Sequence, residues 1–206
     1  GGLEAEVVPV TNIEELAAPA YWDRMRGVVN ELSTGARDVL VFLHGYNVSF
    51  ADAARRAAQI ACDLKFPGVM AFYSWPSQGE LRGYLPDGRI IEVSETHIAE
   101  FLLGSAGKTG ANRVHVIAHS MGNRALIRVL ADMAREARRD GTGRFGHFIL
   151  AAPDVDRKFF LQRAAAYHQL SETTTLYVSN KDLALKASGM IFDSARAGFF
   201  PPLTIV

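Results

Sequence analysis

The sequence predicts an α/β fold, with a mostly parallel central sheet covered by helices on both faces. Three observations carry this expectation. Short apolar runs alternate with helical patterns along most of the chain, giving five strands separated by helices. The first of these runs, DVLVFLHG, is apolar almost throughout, as a buried strand requires. The chain has 206 residues, 49% of them apolar and 21% charged, which is enough to bury the core of one domain spanning residues 1–206.

Each element follows from its own stretch. Near the start, AEVVPV reads as an added edge strand and YWDRMRGVVNEL as a helix. After DVLVFLHG, SFADAARRAAQIACDLKF places Ala53, Ala57, Ile60, Ala61 and Leu64 on one helical face, with Ser49 and Asp52 as a helix-start pair. GVMAFYSWP is the second strand. PSQGELRGYLPDGR, rich in Gly and Pro, is expected to be an ordered surface loop, and SETHIAEFLLG a helix ended by Gly104. GSAGKTG reads as a flexible connector: it lacks the Gly-to-Lys spacing of a phosphate loop and precedes a strand instead of following one.

The third strand, RVHVIAHS, leads into NRALIRVLADMAREARRD, where Ala125, Leu126, Val129, Leu130 and Met133 have core spacing. Strand FGHFILAAP, helix DRKFFLQRAAAYHQ and strand TTTLYVSN complete the series. Right-handed crossovers bring every strand-to-helix loop to one edge of the sheet, the edge where chemistry is expected.

Charge and cysteine content exclude several classes. Lysine plus arginine equals aspartate plus glutamate at 22 each, so no overall field draws in nucleic acid or an anionic membrane. The clustered Arg135, Arg138, Arg139 and Arg144 complement carbonyls at a helix end. One cysteine, Cys62, rules out an intrachain disulfide and a cysteine-based zinc site, and its apolar neighbours predict a buried thiol. No apolar run approaches the ~20 residues of a membrane span. The chain opens GGLEAEV, with neither methionine nor signal peptide, which leaves open the cytoplasm or, with an export signal removed, the cell envelope.

HVIAHSMGN is the stretch most suggestive of chemistry. Ser120 falls between a strand and a helix, with Gly122 two residues after and Ala118 two before, an A-x-S-x-G version of the nucleophile elbow. The alternative is a serine that caps a helix. Upstream, the strand ending in His44-Gly45 allows a sharp turn, so that the Tyr46 N–H joins that of Met121 as an oxyanion hole, with Asn47 as a further contributor. Tyr73, Trp75, Tyr84 and Leu85 lie near the same edge and are expected to wall an apolar substrate pocket; Trp75 and Pro76 serve equally well as loop anchors. His and carboxylate residues lack the helical spacing of a zinc hydrolase, and neither metal nor cofactor is expected.

VFLHGYN, YSWPS, IAHSMGN, AAPDVD and LYVSNKDLAL, in that order between Val39 and Ala187, resemble the bacterial α/β-hydrolase family once catalogued as domain of unknown function 900, related to esterases and lipases. The resemblance implies an α/β-hydrolase fold, Ser120 as nucleophile and hydrolysis of a small-molecule acyl ester. It also directs the search for the acid to the loops after the last strands. Asp182 is the first choice and Asp154 the alternative, although Asp154 and Asp156 are equally placed to cap a helix.

The same resemblance expects a general-base histidine C-terminal to the acid, yet the last histidine is His168. His119 is read as packing beside the nucleophile, His115 and His147 as strand residues of the core, and His168 as lying towards the opposite edge. His44 and His97 are on the correct edge, as a loop hydrogen-bonding partner and a first-turn helix residue. The expectation is therefore that the polypeptide continues beyond Val206, where GFFPPLTIV starts a further strand whose return loop carries the histidine, or that a separate C-terminal fragment completes the domain. Two classes of function follow: a serine carboxylesterase for short or medium acyl esters, with thioesterase or acyltransferase chemistry on the same serine, and a non-catalytic scaffold of the same fold.

Overall fold

The computed structural model describes residues 9–80, 83–140, 145–179, 183–191 and 194–199. Helix α1 (Ala18–Glu31) precedes β1 (Asp38–Leu43), α2 (Phe50–Asp63) and β2 (Val69–Tyr73). Next come α3 (Tyr84–Val93), α4 (Glu95–Lys108), β3 (Arg113–His119), α5 (Gly122–Asp140) and β4 (Phe145–Ala151). The short helices α6 (Arg157–Arg163) and α7 (Ala165–Leu170) lead to β5 (Ser171–Tyr177) and α8 (Leu183–Ile191). The strands form one sheet in the order β2-β1-β3-β4-β5, with every neighbouring pair parallel. Among the described residues, the five helix-separated strands expected from the sequence are the five observed.

Side chains alternate across this sheet and build two unequal cores. Val39, Val41 and Leu43 of β1, with Val116 and Ala118 of β3 and Phe148 and Leu150 of β4, join the larger core under α5 and its neighbours. Leu40, Phe42 and Ile117 face the other way and meet Ala57 of α2. Ser49 caps α2 by accepting the Asp52 N–H at 3.2 Å, as the helix-start pair requires.

Several local expectations are corrected. The loop PSQGELRGYLPDGR ends early, because α3 begins at Tyr84: Pro86 falls in the first turn, where a missing N–H costs nothing, and Asp87 is the acidic first-turn residue. GSAGKTG is not a connector. Its first five residues finish α4, Gly104 packs against the Trp22 ring, and Ser105 and Thr109 are buried with their hydroxyls on Phe101 and Ser105 carbonyls.

DRKFFLQRAAAYHQ forms two helices meeting at Ala164, both of which reach the core, through Phe160 and Tyr167. Cys62 is exposed, since the last turn of α2 carries it and Leu64 away from the sheet. Residues 5–8 of AEVVPV and residues 200–206 of GFFPPLTIV lie outside the described residues; Phe199 makes a single parallel bridge to Ser179.

Candidate active site

Ser120 stands between β3 and α5 with a φ of 48°, the left-handed region, which costs a residue bearing a Cβ about 1–2 kcal/mol. Hydrogen bonds on both sides hold it there. Its N–H donates to the Ala151 carbonyl at 2.9 Å, and its carbonyl accepts from the N–H groups of Asn123 at 3.1 Å and Asp154 at 3.2 Å. The buried Asn123 side chain adds Nδ2 bonds to the Ala118 and Ser120 carbonyls. Gly122 is required by close approach: a Cβ there would lie 2.6 Å from the His44 oxygen and 2.9 Å from the Leu43 oxygen, both backbone atoms of the end of β1. Small residues around Ser120 thus let α5 start directly beneath the loop that follows β1.

That loop runs beside the serine. A Cβ on Gly45 would lie 3.0 Å from Ser120 Cβ and 2.9 Å from His119 Nδ1, so glycine sets the spacing between the two segments. Asn47, at φ 58°, turns the loop into α2. Met121 is fully buried, and its N–H has no acceptor among the described residues. The Tyr46 ring stands edge-on to Tyr84 at 5.2 Å.

The segment after β2 braces this loop. Trp75 stacks on His44 at 5.0 Å and donates its Nε1–H to the His44 carbonyl at 2.9 Å. His44 Nδ1 lies 2.8 Å from the Gly45 oxygen, an acceptor only, so Nδ1 carries the proton and Nε2 accepts from Ser74 Oγ at 3.3 Å. Burial lowers the His44 pKa from its ordinary value, and the imidazole is neutral. Next, Ser77 Oγ donates to Asp87 Oδ2 at 2.6 Å and accepts from the Val48 N–H at 3.3 Å, while the Gln78 N–H reaches Asp87 Oδ1 at 2.9 Å.

A family model described as alpha/beta hydrolase of unknown function (DUF900) matches residues 24–203. The chain belongs to this family. It is also 24% identical over 216 residues to an uncharacterised protein, alr1448, from Nostoc sp. (strain PCC 7120), an alignment that takes in 78% of this chain and 56% of the relative. The chain therefore spans little more than half the length of that curated relative. Membership carries the α/β-hydrolase fold, and the strand order above is the scaffold on which the chain presents its loops.

Asp154 follows β4 and is buried, with both carboxylate oxygens hydrogen-bonded. Oδ2 accepts from Tyr84 Oη at 2.6 Å and Arg124 Nη2 at 2.8 Å; Oδ1 accepts from Ser188 Oγ at 2.5 Å and lies 3.3 Å from Arg196 Nε as an ion pair. Arg124 Nε also donates to the Asp154 carbonyl at 2.8 Å, and Tyr84 Oη touches the Ser188 hydroxyl. Burial, and then the Asp154 charge, push the Tyr84 pKa up to about 12. Asp156 caps α6 by accepting the Phe159 N–H.

The expected pocket residues sit differently from the sequence reading. Trp75 is 1% exposed and anchors the loop instead of walling a cavity. Tyr84 is tied to Asp154, and Tyr73 packs on Phe101 at 5.6 Å. A cavity of about 330 Å³ opens one helical turn along α5, lined by Arg124, Arg128, Glu92, Asp156, Arg196, Val155 and Phe159, and none of the three aromatics borders it. Asp182 lies outside the described residues.

The six histidines are all accounted for. His97 is exposed beside Glu100, His115 faces Asp38 at 3.4 Å, and His147 pairs with Thr175 at 2.8 Å. His168 is exposed near the end of α7, and His119 is exposed with its ring against Gly45. Among the described residues no helix is long and apolar enough to cross a membrane.

Sequence reasoning missed Arg124, Arg196, Ser188, Asp87 and Ser77. One signal was available for Asp87: an acidic residue directly after proline in YLPDG is a helix-start pattern.

Proposed function

We propose that the protein is a serine carboxylesterase that hydrolyses short or medium acyl esters through an acyl-enzyme on Ser120. The observation that carries this reading is the left-handed Ser120 at the end of β3, packed against Gly45 of the loop after β1, which is the backbone turn a nucleophile elbow requires. Ser120 Oγ attacks the ester carbonyl and its proton passes to a histidine base. The Tyr46 and Met121 N–H groups hold the developing oxyanion; the histidine returns the proton to the departing alcohol, and water then clears the acyl group by the same steps.

Asp182 is the proposed acid, and Asp154 is assigned to structure. Its carboxylate already accepts from Tyr84, Arg124 and Ser188 and faces the Arg196 guanidinium, a buried set of contacts that supports a structural role over orienting an imidazole. The base is proposed on the polypeptide beyond Val206, in keeping with the surroundings of the six histidines. His44 in particular has both ring nitrogens bonded and is held neutral by burial.

The test is hydrolysis of a short-chain nitrophenyl ester by the full-length protein, with Ser120→Ala beside it. Loss of at least about a thousandfold in kcat/KM is expected, together with loss of labelling by a fluorophosphonate. Activity retained in Ser120→Ala overturns the reading. An unreactive Ser120 in the full-length protein favours the scaffold function, and faster turnover of the matched thioester moves the assignment to thioesterase.

A further inference from the structure

We infer that Ser77 and Asp87 are positioning residues that set the loop carrying the Tyr46 N–H, an inference that rests on the esterase reading above. Asp87 is fully buried, and among the described residues no lysine, arginine or histidine forms an ion pair with it. A carboxylate in such a place is costly unless hydrogen bonds replace its water. Here the partners are the Ser77 hydroxyl at 2.6 Å and the Gln78 N–H at 2.9 Å, with the first turn of its own helix, α3, adding a favourable dipole.

The arrangement has a direction. A carboxylate only accepts, so the Ser77 proton is committed to Asp87, and the serine oxygen is left as an acceptor facing the Val48 N–H at 3.3 Å and the Gly79 N–H at 3.4 Å. The charge on Asp87 polarises that hydroxyl and makes it a better acceptor. Val48 lies two residues beyond Tyr46, across the left-handed Asn47. The other end of the same short segment is held at His44 and Gly45 by the Trp75 indole and the His44 ring.

Tyr46 therefore sits between two anchors, and both come from the stretch YSWPS with its partner Asp87. Freeing the Val48 end lets Asn47 leave its strained conformation; the Tyr46–Asn47 peptide turns with it, and Tyr46, with the N–H on its other side, loses its anchor on that flank. An oxyanion donor acts through preorganisation, so displacing it weakens the transition state more than the ground state.

The experiment uses the full-length protein with Ser77→Ala, Ser77→Thr and Asp87→Asn, and reads kcat, KM and the inhibition constant of an alkylboronic acid, whose tetrahedral adduct on the serine places an oxygen in the oxyanion hole. Ser77→Ala is expected to lower kcat about tenfold or more, with KM unchanged within about twofold, and to weaken boronate binding by the same factor. Ser77→Thr keeps the hydroxyl and is expected to restore both, while Asp87→Asn moves them in the same direction as alanine. Ser77→Cys, close in size but a poor acceptor, gives a parallel loss and serves if the alanine variant does not fold.

Wild-type kcat and boronate affinity in Ser77→Ala, or a change in KM alone, overturns the inference while leaving the esterase reading intact. A full-length wild type with no ester hydrolysis and an unlabelled Ser120 removes both.

Discussion

Asp87 and Asp154 are both buried carboxylates within reach of the candidate site, and the protein treats them in opposite ways. Asp154 is neutralised by two guanidinium groups and gathers α3, α5, α8 and the 194–199 segment onto the end of β4. Among the described residues Asp87 has only neutral donors, a hydroxyl and an amide, and they belong to the segment that touches the loop beside Ser120. The difference teaches that a buried charge can serve two ends. A paired one fastens elements together, and an unpaired one orients a hydroxyl whose other side is then fixed.

Removing the first should cost the most stability. Asp154→Ala leaves Arg124 and Arg196 without their shared carboxylate, and a loss of about 3–5 kcal/mol is expected in guanidinium unfolding. A loss below about 1 kcal/mol would contradict the role as a fastening point. Asp87→Asn should come second, at about 1–3 kcal/mol for weakened bonds to a charged group. Its signature is the kinetic change described above; if it unfolds the protein as severely as Asp154→Ala does, the contrast between the two carboxylates fails.

Two pH predictions sharpen the comparison at lower amplitude. The Tyr84 pKa is raised to about 12 beside Asp154, against about 10 in the unfolded chain. Its contribution to stability is whole below pH 10 and is lost as pH rises from there through 12. Tyr84→Phe should flatten that part of the alkaline decline, as followed by unfolding at pH 9 to 12. An unchanged slope would mean that the Tyr84 hydroxyl is not held as described.

The smallest effect belongs to His44, whose pKa burial lowers. The unfolded chain then binds the extra proton first. Stability is whole above the unfolded value near 6.5 and falls as pH drops from there towards the folded value. His44→Asn should reduce the slope of stability between pH 7 and 5. His147, also lowered by burial, supplies a remainder.

Much of the fold was legible because its signals are local. β1 is apolar over the five successive residues Val39–Leu43 and β3 over Val116, Ile117 and Ala118, and both faces of these strands are indeed covered. The Ser120 turn was equally visible: Gly122 is small because backbone atoms at the end of the neighbouring β1 leave no room, and smallness can be read at the position itself. Misreadings arose where one residue type serves two purposes. Gly and Pro in PSQGELRGYLPDGR looked like loop residues, yet Pro86 belongs to a first helical turn. Cys62 has apolar neighbours on a helix whose last turn leaves the core.

Contacts between distant residues were beyond such reading. Trp75 and Tyr84 stood out as aromatics near the loop edge, but Trp75 finds its acceptor 31 residues back, and Tyr84 meets Asp154 70 residues on and Ser188 104 residues on. No spacing rule links positions so far apart.

By itself the sequence determined the alternation of strands and helices, the parallel sheet and the turn at Ser120, since each depends on periodicity or on the size and backbone freedom of a few neighbouring residues. Only the tertiary structure decided that Asp154 is paired with arginines and bonded by Tyr84 and Ser188, that Trp75 and His44 lock one end of a loop, and that Asp87 reaches the other end through Ser77. Those are properties of side chains brought together by the crossovers, where partners and burial, more than residue type, decide what a carboxylate or an indole does.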